Sequence, residues 1–476
     1  MEFELKPIGK LNIFKDENSN SYFNKVINTT SQVVQIPSEE LFHTIASILN
    51  EKKQKPTKTL VNGLIEELKM HAMNVKDIEK ISFRYVIYKG NLYIYKGEND
   101  LLIKISKKGV KYVRNPEIKI VHSKHRGAIA CQKEITANFG LFLELFWKYV
   151  PIRNKQDQLL LLAYMIIACI PDSNYPILLI TGRSGSAKSS TTRVIKSVID
   201  PSSFELSAPL TSITDIKLAA AHNHLLAFDN NGDIFSSELQ NLLCQLSTGA
   251  KIFDRKFYTN GEVIINKINR PVIFNGLQSP FSQDDVISRV LHIRLRPLTS
   301  VDYARTGGES NWKNQFEADL PIITSGFHDL LQRVFPTRDQ IEMPNELPRL
   351  GDFAKIGIAL EQVLKLEKGS FLKAYESNLN YGSSLILEDS DLGQAVISLA
   401  NNLDDAAIYT RNELIQELKK YSHFSNAIPA NSRTFKTELD RIEKALFQTM
   451  GIRIRHINRT RDGAKVEVIP PTKKLK

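Results

Sequence analysis

PILLITGRSGSAKSS, residues 176–190, decides how this chain is read. Ile177 to Thr181 is an apolar run of the kind buried on both faces of a parallel sheet. It passes directly into Gly182, Gly185, Lys188 and Ser189, after which SSTTRVIKSVID has the composition of a helix. Strand, glycine loop and helix in that order make a phosphate cradle. The glycines let backbone N–H groups curl around an anion, the lysine reaches the β and γ oxygens, and the hydroxyl ligates Mg²⁺. Gly182, Arg183, Ser184, Gly185, Ser186, Ala187, Lys188, Ser189 and Ser190 are therefore expected to hold ATP, with Ser189 also on Mg²⁺. One position departs from G-x-x-x-x-G-K-[ST]: Ala187 stands where the second glycine is usual. A ligand-free Gly/Ser loop beside a helix start is the plainer alternative, and the strand and helix context argues against it.

Working outward, HLLAFDNN (224–231) ends a second apolar run at Asp229, the expected Mg²⁺ carboxylate. Asn230 follows, where hydrolysing enzymes often carry a glutamate; Glu238 and Asp233 are candidate substitutes, and the sequence does not choose between them. RPVIFNG (270–276) ends at Asn275, suited to sensing the γ-phosphate, or else simply a polar residue at a strand end. In DVISRVLHIRLRP (285–297), Arg289 precedes another strand and is placed as an arginine finger on a neighbouring subunit's nucleotide; a surface ion pair is the alternative. Between Asp229 and Asn275, KIFDRKFYTNGEVIINKINR predicts an inserted hairpin turning at Asn260-Gly261. In a ring, Lys251, Arg255, Lys256 and Lys267 would follow a nucleic-acid backbone; otherwise they form a solvated face.

The chain has 476 residues, enough for roughly two to four domains. A net charge of +11 favours an anionic partner, with nucleic acid the commonest. Three dispersed cysteines support neither a disulfide framework nor a zinc ribbon, and a reducing, cytoplasmic setting is expected. The longest apolar run, LLLLAYMIIACI (159–170), is about half a membrane span, so no membrane partner is expected and the run predicts a buried helix. His122, His125 and Cys131 lack a fourth ligand at zinc spacing, and His222 and His224 read as strand-start residues, so no metal site is assigned to either group.

Residues 1–35 read as polar and Asn/Ser-rich, followed by helices over 39–50 and 60–73 and a β-meander over 81–121. Helices are predicted near 139–150 and 157–170, alternating strands and helices to about 300, and helical periodicity over 313–380. From Ala406, two helices and a hairpin suggest a winged helix. Its second helix carries Arg433, Lys436, Arg441 and Lys444, and its wing carries Arg453, Arg455, Arg459, Arg461 and Lys465, a concentration of charge suited to DNA phosphates. A protein-docking domain with solvated charges is the alternative.

Taken together, GRSGSAKSSTTRVIKSVIDP, LLAFDNN, LLCQLSTGAKIFDRKFYTNGEVI, RPVIFNG and DVISRVLHIRL resemble the AAA+ helicase-like ATPases of bacterial prophages, pathogenicity islands and cassette chromosomes. These look like relatives of the minichromosome-maintenance and superfamily 3 helicases, ring motors with a hairpin before sensor 1. The resemblance spans roughly 80–470. It matches Ser288-Arg289 to an arginine-finger motif and Arg349, in LPRLGDFAKIG, to a sensor 2 arginine that binds nucleotide. Ala187 and Asn241, where relatives often have Asp, depart from the pattern.

The residue patterns, with the resemblance over 80–470, predict a multidomain fold: an N-terminal α+β module (1–130), an α/β P-loop AAA+ core with inserted hairpin (131–310), a helical lid (311–388) and a C-terminal winged helix (389–476). Lys188, Asp229, Asn275, Arg289 and Glu238 would be its catalytic set. The expected function is an ATP- and Mg²⁺-dependent DNA helicase, a homo-oligomer and specifically a hexamer, replicating a mobile element. A primase or other replication proteins are further candidate partners. The alternatives are an ATP-switched origin-binding or loading factor and a DNA-sensing regulatory ATPase.

Overall fold

The computed structural model describes residues 2–471 apart from 7, 18, 28–29, 99–100, 116, 122, 124, 134–135, 204–205, 208, 211, 231–233, 256–262, 301, 303–307, 344–347, 389, 422–427 and 461–462. Its centre is a four-stranded parallel sheet in the order β12 (Leu226–Phe228), β15 (Val272–Gly276), β11 (Ile177–Thr181), β16 (Val290–Arg294). Ser207 adds a parallel bridge to Phe228 on the outer edge of β12. Such strands are buried on both faces, which is why each reads as a continuous apolar run.

Alternation sorts their side chains. Leu178, Ile180, Ile273, Leu291 and Ile293 enter one core, whereas Ile177, Leu179, Leu226, Phe228, Val272, Phe274 and Val290 enter the other. The first core is covered by α3 (Phe139–Tyr149) and α4 (Lys155–Ala168), and the second by α6 (Ile213–His222) and α7 (Ser237–Thr248). The apolar run beginning at Leu159 is indeed a buried helix, and Tyr164 donates to the Val272 carbonyl at 2.9 Å, fixing α4 across the sheet. No described helix is long and apolar enough to cross a membrane.

The sequence reading of residues 1–35 as a polar lead is corrected. Strands β1 (Glu2–Leu5), β2 (Gly9–Lys15), β3 (Ser21–Ile27) and β4 (Thr30–Ile36) form an antiparallel sheet. Leu11, Ile13, Phe23 and Val34 pack on α1 (Glu39–Glu51) and α2 (Lys58–Met73). The opposite face buries Phe14, Tyr22 and Val33 in a small cluster of their own, with Asn12, Asn24 and Gln35 between them, and this mixture of polar and apolar residues masks the strands.

The meander β6 (Tyr85–Tyr88), β7 (Asn91–Tyr95), β8 (Leu102–Ser106), β9 (Gly109–Val113) is antiparallel throughout, and β5 (Ile81–Ser82) pairs with β10 (Lys119–Ile120) beside it. Tyr85, Leu92, Ile94, Ile103 and Ile105 enter the same core as α3 and α4. A buried polar knot adds to this join. Fully buried Arg84 pairs with Asp200 at the end of α5 (Lys188–Ile199) and donates to the carbonyls of Pro201 (2.9 Å) and Gly127 (3.1 Å). The other Asp200 oxygen accepts the backbone N–H groups of His224 (2.7 Å) and Leu225 (2.9 Å). Burial opposes the Asp200 charge, yet Arg84 and Lys196 hold its carboxyl well below the usual carboxylate range.

Between α7 and β15, β13 (Ala250–Arg255) and β14 (Val263–Ile268) pair antiparallel with Lys251 opposite Lys267 and Arg255 opposite Val263. The Asn260-Gly261 turn lies outside the described residues. Beyond β16 come α9 (Glu309–Thr337), α10 (Gly351–Val363) and α11 (Ser370–Glu388), where helical periodicity over 313–380 is expected.

The C-terminal unit runs α12 (Asp391–Asn401), β17 (Ala407–Thr410), α13 (Arg411–Lys419), α14 (Ser432–Met450), β18 (Arg453–Thr460), β19 (Gly463–Ile469), with sheet order β17-β19-β18. Its own core includes Leu399, Leu414, Phe435, Leu446 and Val466. The third strand, β17, is an addition to the sequence reading; at four residues it gives too short a pattern to stand out.

Candidate nucleotide site

Lys188 begins α5 immediately after the loop that leaves β11, and β11 is flanked on its two sides by β15 and β16. Ligands of open parallel sheets sit outside the C-terminal strand ends where connections diverge, and this loop occupies such a place. The backbone is shaped for anion capture. Gly185 (φ 76°) and Ala187 (φ 61°, ψ 33°) both adopt left-handed conformations, and a Cβ on Gly182 would lie 2.4 Å from the Ser186 hydroxyl. Alternating handedness in successive residues is what forms an N–H nest. Ala187 is therefore a non-glycine residue in a glycine conformation, capping α5 with no side-chain hydrogen bond. Arg183, Ser184 and Gly185 are exposed, Ser186 is buried, and Ser189 and Ser190 are half-buried in the first helical turn.

Lys188 Nζ donates to the loop's own carbonyls, Gly182 at 2.9 Å and Arg183 at 3.0 Å. Partial burial lowers its pKa, and nearby Asp229 partly offsets this. Ser189 Oγ donates to Asp229 Oδ1 at 2.8 Å, bringing together the expected Mg²⁺ hydroxyl and carboxylate from two different strand ends. Hard oxygen donors of this kind, few in number and half-exposed so that water can complete an octahedron, suit Mg²⁺.

Asn275 is buried and tied on both sides. Its Oδ1 accepts the Asn230 backbone N–H at 2.9 Å, and its Nδ2 donates to Thr192 Oγ1 at 3.0 Å. Thr192 in turn donates to the Lys188 carbonyl at 3.0 Å. Sequence reading missed Thr192, which sits one helical turn after Lys188; that spacing is the only signal for it. Asn230 is exposed with φ 54°, a left-handed position that asparagine tolerates better than most residues. Glu238 lies exposed in the first turn of α7, where no hydrogen bond ties it to Asp229 or Ser189 among the described residues, and Asp233 lies outside them. Asn241 is exposed on the same helix.

Arg289 and Arg349 are brought to each other instead of to the loop. Arg289 follows the short helix α8 (Asp284–Ile287), and its carbonyl accepts the Ile177 N–H at 2.9 Å, so it lies at the N-terminal end of β11. The strand is five residues long, which sets Arg289 about 13 Å from the end that launches the loop. Arg289 Nη1 lies 2.9 Å from Asp285 Oδ2 and 2.6 Å from the Asp285 carbonyl. Arg349 pairs with the other Asp285 oxygen and donates to Ser288 Oγ at 2.7 Å. Burial favours the neutral form of Asp285, but hydrogen bonds from Cys244, Arg349 and Arg289 and the Arg289 charge hold its pKa down at about 2. Sequence reading passed over Asp285, although the Asp-Asp pair before Val286 is visible as a helix start.

Among the expected DNA-contacting residues, Arg433 is exposed at the start of α14 and Lys436 pairs with Asp440. Arg453 is exposed with its guanidinium 4.9 Å from the centre of the Phe447 ring, and Arg455 is exposed and 3.0 Å from Glu467. Lys256 and Arg461 lie outside the described residues, and only the backbone is described for Lys251, Arg255, Lys267, Arg441, Lys444 and Arg459.

The model of the actinomycete integrative conjugative element replication protein family matches residues 143–382, from α3 through the sheet to α11 and half of the chain. The chain belongs to that family. Among solved structures, this family member is similar to an SCCmec type IV Cch active helicase at 13% identity, with 90% of this chain and 89% of that one covered and a TM-score of 0.42. It is similar also to the apo C-terminal region of NrS-1, at 10% identity, 96% of both chains and a TM-score of 0.39. A JCV helicase matches at 13% identity over 52% of this chain and 67% of that one, with a TM-score of 0.27. No curated protein matches this replication-family chain.

Proposed function

We propose that this replication protein is an ATP-dependent DNA helicase of AAA+ type that works as a ring. The observation that carries the proposal is the division of parts across one sheet. Lys188, Ser189 and Asp229 gather at the C-terminal strand ends, while Arg289 and Arg349 gather at the opposite end of the neighbouring strand. Arginines so placed cannot reach their own protomer's loop, but suit the nucleotide of a neighbour packed against that end.

In this reading the loop N–H groups and Lys188 hold the triphosphate, Lys188 exchanging its bonds to the Gly182 and Arg183 carbonyls for phosphate oxygens. Ser189 and Asp229 hold Mg²⁺, which neutralises charge developing on the phosphates. Asn275 couples the nucleotide to the sheet through Thr192 and the Asn230 N–H. Arg289 from the neighbour stabilises the transition state, and Arg349 acts beside it.

The hairpin β13–β14 enters the chain between Asp229 and Asn275 and is, in this reading, the element that contacts DNA in the ring. Helix order and the three-stranded sheet of residues 391–469 support a winged helix, with Arg433, Arg453 and Arg455 on DNA phosphates. Helices α9 to α11 serve as the lid.

Strand displacement on a forked DNA tests this. Wild type is expected to unwind with ATP and not without, and Lys188→Ala not at all. Unwinding that persists in Lys188→Ala would defeat the proposal. A second reading, an ATP-switched loading factor, is favoured by Asn230 standing where a water-orienting carboxylate is usual and by the detachment of Glu238. Tight ATP-dependent DNA binding without strand displacement would select it.

A further inference from the structure

Asp285 does for two arginines what a phosphate would do. Its two carboxylate oxygens are taken separately, one by Arg289 and the other by Arg349, from segments sixty residues apart in sequence. Guanidinium groups suit carboxylates and phosphates for the same geometric reason, so an anion that satisfies both arginines in a free protomer competes directly with a triphosphate for them. The surroundings reinforce this hold without burying it. Ser288 Oγ accepts from Arg349 at 2.7 Å, and Cys244 Sγ lies 3.6 Å from Arg289 Nη1. Asp285 is itself 55% exposed and Arg349 40% exposed, whereas the Arg289 side chain is only 12% exposed. The residue expected to reach furthest toward a neighbour is thus drawn back against its own protomer, and its Nε has no hydrogen-bond partner among the described residues.

We propose that Asp285 is a latch that holds Arg289 and Arg349 in the free protomer and gives them up to the neighbour's triphosphate, making ring assembly dependent on bound nucleotide. The inference rests on the reading of Arg289 and Arg349 as elements acting on a neighbour. Asp285 is a positioning residue here and touches no substrate. The shared carboxylate is itself open to water, which weakens both pairs, so the latch is weak enough to open, and its removal shifts assembly by roughly two- to tenfold in protein concentration.

The test is ATP hydrolysis per protomer as a function of protein concentration in the full chain, comparing wild type with Asp285→Asn, Asp285→Glu and Arg289→Ala. Asp285→Asn is expected to move the half-maximal concentration down by roughly two- to tenfold with kcat unchanged, and Asp285→Glu, which restores the charge, to return it toward wild type. Nucleotide affinity below the assembly concentration should be unaltered, because the loop lies at the other end of the sheet; this checks that the variant folds. If Asp285→Asn lowers kcat and leaves the midpoint in place, Asp285 instead holds the arginines in their working position, and the latch is refuted. If Asp285→Asn does not fold, Asp285→Ser takes its place, and a midpoint that does not fall below wild type refutes the latch equally. Full activity in Arg289→Ala at every concentration would overturn the neighbour-acting reading itself and the latch with it. An inactive Arg289→Ala alongside an unmoved Asp285→Asn midpoint would overturn the latch alone.

Discussion

Replacing Ala187 by glycine isolates the strain in the phosphate loop. Ala187 sits at φ 61°, ψ 33°, where an L-residue brings Cβ against the following carbonyl at about 1–2 kcal/mol. Glycine removes that contact but enlarges the unfolded ensemble, which offsets about 0.4–1 kcal/mol. The net expectation for Ala187→Gly is a gain of about 0.5–1 kcal/mol, or about 1–3 °C in the melting of the central unit. Ala187→Val should move the other way, since a β-branched side chain is worse still at positive φ. Calorimetric melting of the three proteins should therefore rank Gly above Ala above Val.

Nucleotide binding separates strain from contact. Backbone strain present equally in free and bound states cancels from the affinity, so any tighter ATP binding by Ala187→Gly, read with a fluorescent analogue, reports the methyl group crowding the triphosphate. A melting point for Ala187→Gly below wild type, or a Val variant as stable as Ala, would refute a left-handed residue at this position.

Asp229→Asn keeps a partner for Ser189 but weakens the hold on Mg²⁺; hydrolysis should fall by about 100-fold or more, with the Mg²⁺ requirement raised in a titration. Arg84→Met removes the nearer of two cations that hold buried Asp200, leaving Lys196 at 3.7 Å, and chemical denaturation should show a loss of about 3 kcal/mol. His224, His292 and His328 are buried with pKa values pushed down to about 4, below their ordinary 6.5. The unfolded chain therefore binds these protons first, so their contribution is complete above pH 6.5 and is lost as pH falls from 6.5 toward 4, at about 1.4 kcal/mol per histidine per pH unit. Melting temperature should drop across that window, and His292→Leu, which removes a ring with both nitrogens unpartnered among the described residues, should flatten the slope. Arg453→Gln with Arg455→Gln should weaken DNA binding and reduce the log–log salt slope by about one for each phosphate no longer neutralised.

The sequence by itself determined the glycine–lysine loop and the sheet beneath it. Parallel strands buried on both faces must be continuous apolar runs, and a phosphate loop must have its glycine, lysine and hydroxyl within one short segment, so ILLIT, LAF, VIFNG and the loop were legible locally. The buried helix after Leu159 followed from the same one-dimensional logic. Where polar and apolar residues mix on one face the signal thins. The N-terminal sheet escaped because Asn12, Asn24 and Gln35 share a face with Phe14, Tyr22 and Val33, and β17 because four residues make no pattern. Tertiary structure alone decided what long-range electrostatics arranges: Arg84 on Asp200, 116 residues away, Asn275 on Thr192, and both Arg289 and Arg349 on Asp285. Charge pairing depends on proximity in space and leaves no period along the chain. For that reason the motif that names Arg289 said nothing of the carboxylate that holds it.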